Sequence, residues 1–308
     1  MGLLTQLPQT SLGKHGWPWT TMTNTSAQKM SNSNDWPRIS IVTPSYNQGR
    51  YIEETIESVL LQKYPNLEYV IVDGGSTDSS VDIIKRYANQ LTWWVSESDD
   101  GQYAAINKGF SRTTGEIMLW LNSDDMLTPG SLWVLAEVFG RFYEVEWVSG
   151  IPFYWNKEAS AIQVLPQLPF NRTLMRLGGY EGRGVHWVMQ ECTAWRRSLW
   201  ERAGGSLATR WDYAGDFELW MRFAGYAQLH TIAAFLGGNR QHSEQKTINK
   251  SRYCEEVDNV LRMHPVSWVA NRVMQISPIR KLLRAWTMIR RRQYHIWYNA
   301  RTSQWAKQ

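Results

Sequence analysis

An alternation of short apolar runs and amphipathic segments dominates the first half of the sequence. The apolar runs have the length and β-branched content of strands; they are Ile39–Thr43, Leu67–Val72, Leu91–Val95 and Ile117–Leu121. The segments with helical spacing lie between and after them, at 52–60, 81–87, 103–110 and 132–139. Strands separated by helices of this length form βαβ units, so we predict an α/β fold with a mostly parallel, Rossmann-like sheet flanked by helices.

The sequence pattern divides the chain into three parts. Residues 1–35 are rich in Thr, Ser, Asn, Gln and Met without periodicity, which predicts a flexible leader. Residues 36–250 predict one domain, in which the alternation loosens after about residue 150 into short strands, Gly-rich loops and a helix near Phe217–Ala224. Residues 251–308 predict a basic helical tail, so we expect a C-terminal helical extension on the α/β domain.

Positive charge is concentrated at the end of the chain. Residues 266–308 contain nine Lys or Arg and no Asp or Glu, and removing these nine from the net charge of +5 leaves −4 on the rest. The body of the protein is therefore not a basic nucleic-acid binder, and we expect no specific nucleic-acid partner.

The cysteines and the apolar content predict a cytoplasmic location. Cys192 and Cys254 lie far apart and match no metal-ligand spacing, which is typical of free thiols in a reducing compartment. No apolar run is long enough to span a bilayer, and the first thirty residues lack the pattern of a signal peptide.

Acidic side chains follow the predicted strands at the points where the strands end. They are Asp73, Asp99, Asp100, Asp124 and Asp125. Each alone is compatible with a helix cap or a turn, but the carboxyl ends of parallel strands face one crevice, where ligands bind. Adjacent carboxylates such as Asp124 and Asp125 are costly unless a cation neutralises them. Mg²⁺ or Mn²⁺ commonly shares carboxylates with substrate phosphates, so the pair predicts a divalent cation bridged to a diphosphate.

Five ordered motifs resemble those of family 2 glycosyltransferases, which have the GT-A fold. The motifs are Thr43–Asn47, Asp73–Asp78, Gly101-Gln102 with Asn107–Gly109, Leu121–Asp125 and Gly215–Arg222. The resemblance spans roughly residues 38–247. It divides the domain into a nucleotide-binding half at 36–150 and an acceptor half at 151–250.

The resemblance implies an inverting glycosyltransferase. Such an enzyme moves a sugar from a nucleoside-diphosphate sugar to a hydroxyl of a glycan or lipid-linked acceptor, and we expect a role in cell-surface polysaccharide synthesis. One alternative is a metal-dependent nucleotidyltransferase. Such an enzyme normally holds its triphosphate with a Gly-rich loop that carries Lys or Arg, whereas the loop Pro44–Arg50 has a single basic residue, Arg50. The other alternative is a non-catalytic nucleotide-sugar binding protein.

Site residues carry over from the family by position. The resemblance implies donor-binding roles for Thr43, Pro44, Tyr46, Asp73, Asp99, Asn107 and Asp124. It implies a Mn or Mg site formed by Asp124, Asp125 and His242; the alternative for His242 is a histidine in a surface loop. The sequence departs from many relatives at Asn122 and Ala104, where those relatives have Asp.

The resemblance assigns the catalytic base to Asp216, as a carboxylate that is ionised at neutral pH without a large pKa shift. Glu218, two residues later, is the alternative base. Gln190 and Glu191 match a region that faces the acceptor, or belong to a buried strand. The 18 tryptophans provide stacking surfaces for sugar rings or pack in the core.

The tail contains a basic amphipathic pattern that starts near Ile279. Leu282, Leu283, Trp286 and Ile289 recur at helical spacing, with basic residues largely on the other faces. Such a helix lies on an anionic membrane surface, or packs on the domain with a solvated basic face; non-specific attraction to RNA is a weaker third possibility.

Overall fold

A computed structural model describes residues 17–19, 35–290 and 294–307. The strands in chain order are β1 (Ile39–Ser45), β2 (Leu67–Asp73), β3 (Trp93–Ser96), β4 (Ile117–Trp120), β5 (Met126–Leu127), β6 (Trp147–Ser149), β7 (Phe153–Trp155), β8 (Ala161–Val164), β9 (Thr193–Arg196), β10 (Leu229–Ile232), β11 (Gly237–Arg240), β12 (His295–Asn299) and β13 (Gln304–Lys307). The helices are α1 (Ile52–Leu60), α2 (Ser80–Arg86), α3 (Gln102–Phe110), α4 (Ser131–Arg141), α5 (Arg172–Arg176), α6 (Arg197–Arg202), α7 (Gly215–Tyr226), α8 (Lys250–Arg262), α9 (Pro265–Gln275) and α10 (Ser277–Ile289).

The central sheet has the strand order β13-β12-β10-β6-β9-β4-β1-β2-β3. Its neighbours pair in parallel except at β9, which is antiparallel to β4 and β6, and at β13, which is antiparallel to β12. The predicted mostly parallel α/β sheet is therefore confirmed. Strand β1 continues through Pro44, because β4 pairs with β1 only as far as Val42, so the missing amide of Pro44 breaks no bond to β4.

Helices cover both faces of the sheet, as its apolar strands require. Residues of α1, α2 and α4 pack with Ile39 and Ile41 of β1 on one face, and residues of α3 and α7 pack with Val42 on the other. All seven residues of β1 are buried, which is typical of a parallel strand covered on both sides. The core on the face covered by α3 and α7 contains five buried tryptophans: Trp120, Trp147, Trp195, Trp200 and Trp220.

Strand β1 lies at a change of direction in the strand order, between β2 and β4. The chain leaves β1 toward β2 and β3 on one side and returns to β4 on the other. A crevice opens outside the carboxyl ends of the strands at such a point, and it is the usual ligand site of open α/β sheets. The acidic residues that follow β2, β3 and β4 all belong to this edge.

A small second sheet, with the order β5-β11-β7-β8, borders the crevice. Strand β11 pairs antiparallel with β5 and parallel with β7. This pairing places the end of β11 beside the loop between β4 and β5, which carries Asp124 and Asp125.

The second half of the chain extends the same central sheet through β6, β9 and β10. The division at residue 150 thus falls within one sheet, and separate nucleotide and acceptor halves stay a prediction. The tail is helical over α8–α10 and then adds β12 and β13 beyond β10, two strands that the sequence pattern did not predict. In the predicted leader, the Trp17 indole donates to the Leu127 carbonyl at 2.9 Å; residues 1–16 and 20–34 lie outside the described residues.

Across the described parts of the chain, no helix is both long and apolar enough to cross a membrane.

Candidate active site

The loops that follow β1 and β2 are tied together by side chains. The Asn47 side-chain oxygen accepts a hydrogen bond from the Thr77 backbone amide at 2.9 Å, and the Asn47 backbone amide donates to the Ser76 hydroxyl at 2.7 Å. The Gly49 amide donates to Asp78 at 2.8 Å. The two strand ends therefore form one cradle, and its geometry is fixed before any ligand arrives.

Asp73 lies at the base of this cradle and is fully buried. Its Oδ2 accepts from the amides of Gly75 and Ser76, at 3.2 and 2.9 Å, and from the Ser96 hydroxyl at 2.7 Å. Its Oδ1 accepts from the Ser76 hydroxyl at 2.5 Å. Because a carboxylate oxygen has room for about two donors, only Oδ1 keeps capacity for a further donor, so its contact with a base stays a prediction.

The other predicted nucleobase residues lie beside the cradle with different exposures. Thr43 is buried with its hydroxyl 3.1 Å from the Tyr69 hydroxyl, and Pro44 is buried next to it. Tyr46 is 61% exposed at the crevice edge. Of the three, Tyr46 therefore offers the largest open surface for stacking on a base.

Asp99 approaches the backbone of the β2 loop closely. A Cβ added at Gly74 would lie 3.2 Å from both carboxylate oxygens of Asp99, so any larger residue at position 74 would require the Asp99 side chain to shift. The Gly101 amide donates to Asp99 at 2.9 Å. Asp99 is thus held at the crevice with part of its surface open.

Asn107, on α3, is engaged within the protein. Its side-chain amide donates to the Leu207 carbonyl at 2.9 Å, and its side-chain oxygen accepts from the Leu207 amide at 2.8 Å. These bonds tie α3 to the loop that leads into α7. Contact between Asn107 and a sugar donor stays a prediction that none of these bonds supports.

Asn122 connects three elements around the crevice. It accepts from the Gln102 side chain at 2.7 Å, and it donates to Asp125 at 3.0 Å and to Gln190 at 3.3 Å. A carboxylate at this position could not donate to Asp125 and would add a charge beside buried Glu191. The amide of Asn122 therefore supplies a donor at this position that a carboxylate would lack.

Asp125 points into the protein and is 1% exposed. Its oxygens accept from the Arg240 backbone amide at 2.8 Å and from Asn122. Burial raises the pKa of Asp125 well above its usual range, and the charges of Asp124 and Glu191 raise it further. Burial raises the pKa of Glu191 as well, and the two buried carboxyls act on each other.

Asp124 faces His242 directly, with Asp124 Oδ2 3.0 Å from His242 Nε2. The imidazole is 3% exposed, and its ring lies 4.6 Å from that of Tyr51. His242 is therefore not a histidine in a surface loop, although it comes 118 residues after Asp124 in the chain.

Arg240 holds this arrangement in place and is an essential contact that sequence reasoning missed. Its side chain is fully buried, pairs with Glu54, and donates from Nε to the Asp124 carbonyl at 2.7 Å. The guanidinium lies 5.0 Å from the ring centre of Tyr51. A buried arginine needs such partners. In the sequence, the one indication of a role for Arg240 was its position two residues before His242.

Within residues 17–19, 35–290 and 294–307, no group of three or more His, Cys, Asp or Glu is arranged to hold a metal ion. Asp124 and His242 fit a divalent cation as a carboxylate and imidazole pair whose other ligands are diphosphate oxygens. Asp125 is 1% exposed and its two oxygens accept from the Arg240 amide and from Asn122, so its role as a third metal ligand stays a prediction.

Asp216 lies in the first turn of α7. Burial raises its pKa to about 7, and the charge of Glu191 adds to the effect. This differs from the ordinary ionised carboxylate expected from the sequence. The Phe217 amide donates to Asp216 Oδ1 at 2.7 Å, and the neighbouring Gly215 amide donates to the Tyr103 hydroxyl at 3.0 Å.

The start of α7 is fixed by Glu256, a residue of α8 that sequence reasoning also missed. The amides of Tyr213 and Ala214 donate to Glu256 Oε2 at 2.8 and 2.9 Å, and the Asp212 amide donates to Oε1 at 3.0 Å. An anion at the N-terminus of a helix stabilises it. Glu256 therefore positions the turn that carries Asp216.

Glu218 is committed to a different contact. Its carboxylate accepts three hydrogen bonds from Arg222, at 2.8 to 3.1 Å. Arg222 also donates to the carbonyls of Ala203 and Ser206. These bonds favour a structural role for Glu218 over the role of alternative base.

Gln190 and Glu191 lie in a buried turn just before β9. Gln190 donates to the Trp120 carbonyl at 2.7 Å, and Glu191 accepts from the Asn239 side chain at 3.1 Å. Glu191 interacts electrostatically with both Asp125 and Asp216. Glu191 therefore couples the charge of Asp125, beside Asp124, to the charge of Asp216 at the start of α7.

Lys246 crosses the crevice from the opposite side. Its ammonium donates to Gln102 at 3.3 Å and to the Asp212 carbonyl at 3.5 Å, and it interacts with the charges of Asp99 and Asp124. Lys246 therefore lies near two of the predicted acidic residues, Asp99 and Asp124, which follow different strands.

The comparisons with known proteins identify the family of the chain. Residues 40–201, more than half of the chain, match the family described as Glycosyl transferase family 2. An uncharacterized glycosyltransferase of Rickettsia typhi is 25% identical over 224 residues, which is 72% of this chain and 70% of the relative. The putative teichuronic acid biosynthesis glycosyltransferase TuaG of Bacillus subtilis is 40% identical over 92 residues, 29% of this chain and 36% of TuaG.

Two solved structures have a similar fold. TarS 1-349 of S. aureus in complex with UDP-GlcNAc has a TM-score of 0.59 at 18% identity, and covers 75% of this chain and 66% of that chain. The mannosyltransferase PcManGT of Pyrobaculum calidifontis in complex with GDP-Man and Mn2+ has a TM-score of 0.56 at 19% identity, and covers 83% of this chain and 75% of that chain. At these identities the likeness shows the fold alone, and the chain spans about two thirds of the TarS 1-349 fragment.

Proposed function

The chain belongs to glycosyltransferase family 2, and we propose that it transfers a sugar from a nucleoside-diphosphate sugar to a hydroxyl group with inversion at the anomeric carbon. The observation that carries the proposal is Asp216, a carboxyl of raised pKa in the first turn of α7, which is linked to Asp124 through buried Glu191, since Glu191 interacts electrostatically with both. Family membership makes the chain a glycosyltransferase, rather than the nucleotidyltransferase or non-catalytic binder also considered from the sequence.

We assign the donor to the cradle at the ends of β1 and β2. Tyr46 offers an exposed ring for the base, and Thr43 and Pro44 form the buried floor beside it. Asp73 and Asp99 face the base and ribose. UDP-GlcNAc in TarS and GDP-Man in PcManGT support a nucleotide-sugar donor, but they leave the choice of nucleotide and sugar open.

We assign the diphosphate to Asp124, His242 and Lys246. Asp124 and His242 would hold a Mn²⁺ or Mg²⁺ ion, which neutralises charge on the departing diphosphate when it is bound; Mn2+ is present in the PcManGT structure. The Lys246 ammonium, near Asp99 and Asp124, adds positive charge on the same side. Asp125 holds the β11 backbone through the Arg240 amide, and its place as a further metal ligand stays a prediction.

We assign the role of general base to Asp216. The acceptor hydroxyl gives its proton to the carboxylate while its oxygen bonds to the anomeric carbon, and the bond to the diphosphate oxygen breaks on the opposite face. A base with a pKa near the working pH is well suited to this step. One displacement inverts the anomeric centre, and it needs no covalent intermediate.

The acceptor class rests on more distant similarity. TuaG is named for teichuronic acid biosynthesis, which supports a glycan or lipid-linked acceptor and a role in polysaccharide synthesis. A cytoplasmic location remains part of this proposal.

The test is a donor panel followed by measurement of nucleotide release and transfer, with and without Mn²⁺. Asp216→Asn should bind the donor as wild type does, and lose transfer by about a hundredfold or more. Asp82→Asn, at an exposed carboxylate of α2 with 84% side-chain exposure, is the matched control and should behave as wild type. Full transfer by Asp216→Asn would move the base elsewhere, and transfer that survives chelation would remove the metal from the proposal.

A further inference from the structure

Helix α9 is oriented with its polar side chains inward. The Ser267 hydroxyl donates to the Arg176 carbonyl at 2.9 Å, and the Asn271 amide donates to the Gly178 carbonyl at 2.7 Å; both side chains are buried. The residues Val266 and Val269, which follow helical spacing on another face, are 75% and 56% exposed. This is the reverse of the usual arrangement on a water-facing helix.

Helix α10 is attached to the domain mainly through arginines. Arg280 donates to the Arg183 carbonyl at 3.2 Å, and Arg284 donates to the Val185 carbonyl at 2.6 Å. The apolar pattern of the helix is largely left outside, because Leu282 is 70% exposed. The helix therefore packs on the domain and exposes apolar side chains.

The exposed apolar residues of the two helices form what we call the tail surface. It consists of Val266, Trp268, Val269, Val273, Ile276, Leu282, Trp286, Met288 and Ile289. Exposed apolar residues concentrated on two consecutive helices mark a binding surface on a water-soluble domain.

Basic groups accompany the tail surface. Helices α9 and α10 carry Arg272, Arg280, Lys281 and Arg284, with Arg290 directly after α10, and no Asp or Glu; Arg272 also pairs with Asp258 of α8 at 2.9 Å. The Arg290 guanidinium lies 4.7 Å from the ring centre of Trp286, and that of Arg272 lies 5.7 Å from the ring centre of Trp268. Tryptophan and arginine side by side, with aliphatic residues beyond them, are typical of helices that lie in the interfacial region of a bilayer.

We propose that the tail surface docks the protein on an anionic lipid membrane. Apolar side chains of α9 and α10 enter the interfacial region, and Lys281 and Arg290 contact lipid phosphates. The charge favours this partner over a second copy of the chain, because a symmetric dimer through the tail surface would place two basic surfaces against each other. The proposal goes beyond sugar transfer and does not depend on it.

Vesicle cosedimentation of the full chain tests the proposal without donor or acceptor. Wild type should bind vesicles of phosphatidylcholine mixed with phosphatidylglycerol, and bind phosphatidylcholine vesicles far less, with binding that weakens as salt rises. The double variant Leu282→Ser with Ile289→Ser should lose about tenfold or more in partitioning. Lys281→Gln with Arg290→Gln should lose about tenfold on the anionic vesicles only.

The matched control is Tyr143→Ser. Tyr143 is an 83% exposed apolar residue that follows α4, on the face of the sheet opposite to the tail helices. Its replacement should leave vesicle binding unchanged.

Two results would overturn the proposal. The first is a wild-type protein that shows no preference for anionic vesicles at low salt; this comparison needs no variant to fold. The second is a dimer in light scattering that the Leu282→Ser and Ile289→Ser pair converts to a monomer, since the tail surface would then bind a second copy. If the wild-type protein binds vesicles but releases no nucleotide from any donor, the result counts against the proposed function and not against the membrane proposal.

Discussion

Replacing Asp216 by Asn should make the protein more stable at alkaline pH while it removes catalysis. Burial raises the pKa of Asp216 from 3.8 to about 7. Between those values the folded protein keeps the proton and the unfolded chain releases it. The free energy of unfolding therefore falls as pH rises from the unfolded pKa to the folded pKa, and the full cost is present above pH 7.

The magnitude follows from the size of the shift. A rise of about three pKa units corresponds to about 4 kcal/mol of lost stability at about pH 8, which is an upper value because Asp216 keeps part of its surface accessible. Asparagine cannot ionise, and its side-chain oxygen can still accept from the Phe217 amide. The variant should therefore gain most of this stability at about pH 8 and only about 1–2 kcal/mol at about pH 5.

Urea unfolding of wild type and Asp216→Asn at the two pH values measures the difference. The Asp82→Asn variant, at an exposed carboxylate, should show a much smaller change with pH. Two results would refute this reasoning: a stability gain that is the same at both pH values, or a variant less stable than wild type at about pH 8. Either result would mean that the ionised Asp216 carboxylate does not destabilise the folded protein.

Two further predictions concern the same helix. The turnover number should rise with pH and level off above about pH 7, because only ionised Asp216 accepts the acceptor proton; a steady-state pH profile checks this, and a profile that is flat between about pH 5 and pH 8 would contradict it. Glu256→Gln should lower the melting temperature and the turnover number with a smaller effect on the donor KM, because a neutral side chain holds the amides of Tyr213 and Ala214 less firmly; paired melting and kinetic measurements test it, and an unchanged turnover number would show that Glu256 does not position Asp216.

The sequence located the first half of the fold closely. The predicted strands near Ile39, Leu67, Leu91 and Ile117 agree with β1–β4 to within two residues at each end. These strands are buried on both faces, so their apolar character runs along the chain without interruption and is readable locally. The strands β12 and β13 escaped prediction, because His295–Asn299 and Gln304–Lys307 are short and mixed in polarity.

The candidate site was only partly readable. The acidic residues at strand ends were identified, and the structure brings their loops to one crevice. Their individual contacts depend on partners from distant segments: Asp125 turns toward the Arg240 amide, and Asp124 turns toward His242. Glu256 could not be recognised, since nothing in its own segment indicates that it caps a helix forty residues earlier.

The sequence by itself determined the α/β alternation, the family, the order of the acidic motifs and the basic tail, because each of these depends on residue type at short spacing. Only the tertiary structure decided which carboxylates face the crevice, how far burial raises the pKa of Asp216, and which face of α9 meets solvent. The physical reason is that desolvation and hydrogen-bond partners are properties of a side chain's surroundings, and these surroundings come from segments far apart in the chain.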